Sequence, residues 1–242
     1  VPFTSTHCFL GRTANVDYLE SHYSVLMPGC SPHPPHAHLD EEILVVMHGT
    51  AELVVPAAQG NEPEIFPAPA GTAIYYPSYQ LHTIRNPSQE PVSYAMLRWR
   101  SNAPAAKRGL WPQLLQGSWL RKENIPGPVA MKGIVDGPSV WLGKLHAHIT
   151  RLQPGAGYGA HRDEHDVVIF LLEGAFELMN ARIAAPALVF LPAGCLHDMK
   201  ALGPGLTKYL VWEFHRTDPE YPAVESHIAT AGGAYLSPEA AE

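Results

Sequence analysis

The stretch "PHPPHAHLDEEILVVMHG", residues 32–49, decides how this chain is read. His36 and His38 stand two residues apart, so on an extended strand their side chains leave the same face. On a helix they would diverge by about 200°. The run Ile43-Leu44-Val45-Val46-Met47 that follows is apolar and partly β-branched, as a strand requires. Glu42 shares the parity of both histidines. Two imidazoles and a carboxylate on one strand face are three ligands of a metal site that lacks a fourth.

The stretch has a second copy. "HAHLDEEILVVMHGTAEL" from His36 aligns without a gap on "HRDEHDVVIFLLEGAFEL" from His161, pairing Gly49 with Gly174 and Glu52-Leu53 with Glu177-Leu178. Downstream, "AIYYPSYQLHTI" aligns on "LVFLPAGCLHDM", pairing Pro77 with Pro192 and His82 with His197, and at the same offset Tyr94 meets Tyr209. Upstream, "LMPG" at 26–29 matches "LQPG" at 152–155. Two copies of one β module therefore span roughly residues 15–100 and 138–216. The 24 prolines and 20 glycines punctuate short apolar runs, which predicts an all-β fold. The domain division read from this is 1–105, a linker over 106–130, and 131–242. The linker is expected to hold a short helix around Trp111–Leu120, and the Pro- and Ala-rich tail to wrap the surface.

Composition narrows the function classes. The chain of 242 residues is 46% hydrophobic and 16% charged, enough to bury a sizeable core. A net charge of −7 with scattered Lys and Arg argues against nucleic acid as a partner. No apolar stretch approaches the ~20 residues of a spanning helix, so no membrane partner is expected. Cys8, Cys30 and Cys195 are odd in number and lack CxxC spacing, which points away from a disulfide framework and toward the cytoplasm. Val1 is not a methionine, so a removed targeting segment stays open.

The run Gly29…His36-x-His38-x-x-x-Glu42-x6-Gly49 resembles the first motif of the cupin superfamily. The run Gly71-x5-Pro77-x-Tyr79-x-x-His82-x-x-x-Asn86 resembles the second, with Tyr79 where a glycine is usual. The resemblance covers both halves and implies two tandem cupin double-stranded β-helix (jelly-roll) barrels. It also implies a metal held by His36, His38, Glu42 and His82. Such a ligand set suits one divalent first-row transition metal per chain, Fe(II) first, with Mn, Ni, Cu and Zn as alternatives. Asp40 and Glu41 are expected to be solvated turn residues, and His33 to be exposed.

In the second copy His38 becomes Asp163 and Glu42 becomes Val167. A metal-free barrel is expected there, with a weak site at His161, Asp163 and His197 as the alternative. His165 and Asp166 are expected to face away from it. The superfamily hosts many chemistries, and its storage relatives generally lack the full ligand set, so the intact first motif favours catalysis. The expected activity is that of an Fe(II)-type dioxygenase on a small oxygen-bearing organic substrate, with Glu42 also a candidate catalytic base. A non-redox isomerase, lyase or aminohydrolase is the alternative, and a non-catalytic binding bicupin the further one. Tyr75, Tyr79, Met96 and Arg98 are the candidate substrate-binding residues. Pairing into a homodimer through sheet edges is a further expectation.

Overall fold

A computed structural model describes residues 2–56, 62–102, 113–115, 127–216 and 234–235. Among them there is no helix, hence none long and apolar enough to cross a membrane. The first half contributes β1 (Phe3–Gly11), β2 (Tyr18–Leu26), β3 (Glu41–His48), β4 (Thr50–Val55), β5 (Glu64–Pro69), β6 (Ala73–Tyr76), β7 (Thr83–Arg85) and β8 (Val92–Arg100). After β9 (Gln113–Leu115), the second half contributes β10 (Val129–Gly137), β11 (Lys144–Leu152), β12 (Gly157–His161), β13 (Asp166–Glu173) and β14 (Ala175–Leu178). It closes with β15 (Ala181–Ala184), β16 (Ala187–Leu191), β17 (His197–Leu202) and β18 (Thr207–His215), and β19 (Ala234–Tyr235) follows.

Each half is a barrel of two antiparallel sheets. The larger sheets run β1-β2-β8-β3-β6, extended by β9 and β19, and β10-β11-β18-β13-β16. The smaller ones run β5-β4-β7 and β12-β17-β14-β15. The repeat reaches further than the sequence reading allowed. β1 and β10 share only their terminal glycine under a common offset, yet each pairs with the next strand and bulges at the same place, between His7 and Phe9 and between Gly133 and Val135. The expected helix around Trp111–Leu120 is corrected: its described residues are the strand β9, which pairs with β6. The rest of that stretch, and the tail apart from β19, lie outside the described residues.

The runs that follow His38 and Asp163 are apolar at every position because both faces of these strands are covered. Leu44 and Val46 point into the first barrel with Leu53, Ile74, Tyr76, Tyr94 and Met96. Ile43, Val45 and Met47 point the other way, into a core shared with Leu145, Ala147, Val168, Phe170, Trp212 and Phe214 of the second barrel. The two large sheets thus pack back to back, and Trp99 meets Phe214 edge-on at 5.0 Å.

Two carboxylates sit in this interface, and the first departs from expectation. Glu41 is fully buried rather than solvated. It accepts hydrogen bonds from Ser139 Oγ (2.6 Å), Val140 N (2.8 Å) and Tyr75 Oη (2.8 Å). Asp166, its counterpart in the repeat, is likewise buried and accepts from Thr13 Oγ1 and Ala193 N. Thr13 is in turn the repeat counterpart of Ser139. Each hydroxyl caps its own loop, Thr13 accepting from Val16 N and Ser139 from Leu142 N at 3.0 and 3.1 Å. Each barrel thus lends one hydroxyl to the other's carboxylate.

Removing that carboxylate strands the three donors that face it. Glu41→Ala should therefore destabilise the protein by roughly 2–4 kcal/mol, read from denaturant midpoints. Burial outweighs the hydrogen bonds from Ser139, Tyr75 and Val140 and raises the Glu41 carboxyl above its ordinary value. A carboxyl raised on folding contributes its stability in full below the unfolded value, near 4.5, and loses it as pH rises through the folded value. The stability of the wild type minus that of Glu41→Gln should fall across that window. A flat difference between pH 4 and 8 would show that Glu41 is not held as argued.

Candidate metal centre

His36, His38, Glu42 and His82 come from three segments. His36 and His82 form an isolated antiparallel bridge, each N–H donating to the other's carbonyl at 3.1 Å. This puts the two motif ends side by side. Glu42, on the inward parity of β3, completes the group. The ligand atoms of His36, His38 and His82 lie within 4.8 Å of one another, and their ring centroids are 4.9–5.3 Å apart. The counterpart of the bridge in the second barrel is the β12–β17 pair His161↔His197.

The hydrogen bonds behind these rings test whether a metal fits. His38 Nδ1 lies 2.9 Å from the carbonyl of Asp40, and His82 Nδ1 2.8 Å from that of Gln80. A carbonyl only accepts, so each Nδ1 carries the proton, by inference from its partner, and the neutral ring keeps its lone pair on Nε2. Those Nε2 atoms face Glu42, at 3.1 Å from Oε2 for His38 and 3.5 Å from Oε1 for His82. Two lone pairs aimed at a buried carboxylate call for a cation between them. His36 Nδ1 is buried without a partner. The residues fit a divalent ion, and backbone carbonyls behind metal-binding histidines are the usual orienting arrangement.

Electrostatics agree. Burial would raise the Glu42 carboxyl, but His82 and His38 hold it well below the usual carboxylate range. Burial, then the neighbouring His33, His82 and His38, push His36 down to about 4. Burial would also lower His38, but where no ion intervenes a hydrogen bond and attraction to Glu42 raise it, favouring a proton where a cation would sit. The ring of Tyr76 stacks on His82, 4.1 Å away and 16° from parallel, and fixes its plane.

A cavity of about 190 Å³ opens on this group, lined by His22, His33, Leu44, Ile84, Tyr94, Met96 and Arg98 beside Glu42, His36 and His82. Met96 and Arg98, which share one strand face, line it. Tyr75 and Tyr79 do not, which corrects that part of the reading. Tyr75 has the opposite parity and donates to Glu41 in the interface. Tyr79 is 68% exposed, with φ at +64° where its repeat counterpart Gly194 has +79°. That left-handed turn explains why glycine is usual at this position. His33 is exposed as expected, yet its ring stands 4.0 Å from that of His36 at the cavity mouth. His22 was missed, although its parity on β2 with the buried Ser24 and Leu26 was a signal.

Arg98 is not a free cation. Its Nε donates to Glu20 Oε2 at 2.8 Å, its Nη2 engages the same oxygen, and Nε lies 3.8 Å from Asp40. Asp40 also pairs with Arg100 and is buried, not a solvated turn residue.

In the second barrel His161, Asp163 and His197 do come together, with Asp163 3.8 and 3.5 Å from the two rings. Val167 occupies the inward position of Glu42 and joins the barrel's apolar core. His161 is half exposed. Asp166 faces away from this trio as expected, into the interface.

A cupin domain family model matches residues 22–98, the span that carries both motifs. Residues 22–98 are a cupin domain. With a second barrel built the same way, the whole chain has the bicupin fold. No curated protein matches it in sequence. Among solved structures, the chain is similar to a putative glyoxylate-induced protein from Pseudomonas aeruginosa, with a TM-score of 0.67 at 14% identity, covering 90% of this chain and 82% of that one. A cupin 2 conserved barrel domain protein from Leptotrichia buccalis gives 0.59 at 13% identity, covering 88% of each chain. An oxalate decarboxylase variant from B. subtilis gives 0.58 at 12% identity, covering 92% and 72%. At these identities the likeness is one of fold.

His82→Ala removes an inner ligand from an established strand framework. It should release the ion bound by His36, His38 and Glu42 while circular dichroism stays unchanged. His197→Ala should leave that ion in place. Elemental analysis of both variants decides, and loss of this ion on His197→Ala would assign the centre to the wrong barrel.

Proposed function

We propose that this protein is a metal-dependent enzyme acting on a small oxygen-bearing organic molecule in its N-terminal barrel, as an Fe(II)-type dioxygenase. The observation that carries the reading is the cavity on the ligand group. At about 190 Å³ it is smaller than the ~300–1,000 Å³ of ordinary ligand pockets, so it suits a substrate of few heavy atoms. Its cation, Arg98, is neutralised by Glu20 and by Asp40. The pocket therefore favours a neutral, oxygen-bearing substrate such as a diketone or phenol over a dicarboxylate.

Four protein ligands leave coordination positions open for substrate, and a bound redox-capable dication supplies electron exchange with O2. The chain's own residues do the rest. Glu42, held ionised, would share the ion with the Nε2 atoms of His38 and His82 and is a candidate proton acceptor. Leu44, Ile84 and Met96 give the substrate an apolar wall that limits water. Tyr76 and the carbonyls of Asp40 and Gln80 keep the ligating rings from turning.

A second reading has its own support. His22 faces the cavity with Nδ1 2.9 Å from Ser24 Oγ. Burial lowers its pKa, so it is neutral near pH 7 and a candidate base. Such a base suits a non-redox isomerase, lyase or aminohydrolase, in which the metal polarises a carbonyl.

Reconstitution of metal-free protein with Fe(II), Mn(II), Ni(II) or Zn(II) separates the readings. Small diketones, phenols, hydroxy acids, sugar acids and ureido compounds are screened while oxygen uptake is recorded. An oxygenase consumes O2 with a redox-capable ion and falls silent with zinc, which has no accessible redox change. Anaerobic, zinc-supported turnover would sink the dioxygenase reading, and its loss on His22→Gln would support the second one. A thermal shift with ligand but no turnover would leave a binding protein.

A further inference from the structure

The C-terminal barrel carries a cluster of metal-ligating side chains that the cupin motif does not use. His146 and His148 lie on β11, His165 just before β13, and Glu213 and His215 on β18. Ligand atoms of His146, His148 and Glu213 lie within 4.8 Å of one another, as do those of His165, Glu213 and His215. Glu213 is common to both groups. Its Oε1 is 3.6 Å from His148 Nδ1, and its Oε2 is 3.3 Å from His165 Nε2 and 3.1 Å from His215 Nε2. The rings of His165 and His215 stack at 4.0 Å. Tyr209 and Val211 on the same face of β18 belong to the barrel's own core, so Glu213 points inward with them. His165, expected to face away from the second barrel's site, is turned toward this group instead.

The repeat shows how unusual this set is. The counterparts of His146, His165, Glu213 and His215 in the first barrel are Glu20, Asp40, Arg98 and Arg100. Those four form the ion-pair network described above. The register is the same in both barrels, with Glu20 opposite Arg98 and His146 opposite Glu213. One position thus holds two acids and two arginines in one copy, and three histidines and a glutamate in the other. The fifth member, His148, is matched by a histidine, His22. Arginine does not ligate metals; neutral imidazole does. Glu213 also stands opposite Val167 in the β13–β18 register, so the strand beside the missing motif carboxylate carries one of its own.

A second observation points to a ligand. His148 is 7% exposed, and its Nδ1 is buried without a hydrogen-bond partner while lying 3.6 Å from Glu213. A buried imidazole nitrogen with nothing to bond is costly in an ordinary polar network. His146 Nδ1 is 3.2 Å from Asp136 Oδ1, an outer carboxylate that orients the ring and leaves Nε2 for ligation. The remaining side chains are 18–24% exposed, which leaves an ion a way in.

We propose that Glu213, with imidazoles from His146, His148, His165 and His215, binds a first-row transition dication in the C-terminal barrel, at a site separate from His161, Asp163 and His197. The class follows from the donors: nitrogen-rich with one carboxylate, suited to Zn(II), Ni(II), Cu(II) or Fe(II) rather than Mg(II) or Ca(II). It is a site additional to the centre in the first barrel.

Full-length protein stripped with a chelator and dialysed against Zn(II) provides the test, with bound metal counted after desalting. The His82→Ala protein, its first centre disabled, should keep about one equivalent of zinc. Adding Glu213→Gln should remove that equivalent, and adding His161→Ala should not. Equal zinc in the Glu213→Gln protein, no zinc in His82→Ala alone, or loss on His161→Ala would each overturn the assignment. Should Glu213→Gln unfold, His148→Gln serves in its place. Zinc-edge anomalous diffraction from wild-type crystals needs no variant at all. A peak is expected about 2.0–2.2 Å from a Glu213 oxygen, and a map with density only among His36, His38, Glu42 and His82 would refute the site.

Discussion

Everything in this molecule depends on the parity of two adjacent carboxylates. Glu41 and Glu42 leave β3 on opposite faces because a strand alternates. One enters the interface between the barrels and accepts a hydroxyl from the other half; the other enters the first barrel and gathers histidines. A slip of one residue would drive the metal carboxylate into an apolar interface and leave the interface hydroxyl unpaired. The hydrogen bonds from Ser139 and Tyr75 to Glu41 therefore hold the register that aims Glu42. Metal centre and barrel docking are two outputs of one strand alignment.

The repeat separates which of these two outputs was kept. At the second copy's positions stand Asp166 and Val167. The interface acid persists, shortened by a methylene, and still takes a hydroxyl from the opposite barrel. The inward acid has become part of an apolar core. The reciprocal exchange, Thr13 with Asp166 and Ser139 with Glu41, makes the back-to-back packing nearly two-fold, so losing either acid breaks half of it. Losing a metal ligand breaks nothing structural. Stability constrains one parity of the strand, and the other was free to diverge.

The four candidate ligands were legible because period two and a motif-like spacing encode them in short segments, and the all-β fold was legible because turn residues interrupt every apolar run. What stayed hidden is what depends on partners across the fold. Glu41 and Asp40 looked solvated, since a sequence does not say that a second barrel covers one face and arginines the other. The apolar run on both parities, from Ile43 to Met47, was the available hint of two-sided burial. Tyr75 was misjudged for the same reason, being one residue out of phase with the inward Tyr76. β1 and β10 went unpaired in the reading because register, and not residue identity, relates them. The histidines around Glu213 lie in three separate segments, and nothing in their local spacing announces that β11 and β18 bring them together.

The inner polar belt carries the last distinction between the barrels. In the first, Glu20, Asp40, Arg98 and Arg100 neutralise one another beside the cavity, and a charge-balanced wall neither recruits an anion nor competes for the metal. Arginine is fixed in its protonation state and cannot ligate, so it keeps the wall inert. The second barrel replaces every one of these residues by imidazole or by the lone Glu213, groups that can ligate an ion. The fold thus presents the same belt twice, once as an inert support for a metal centre above it and once as donors in their own right. That inversion follows from four side chains on a common backbone, without any change in strand order or register.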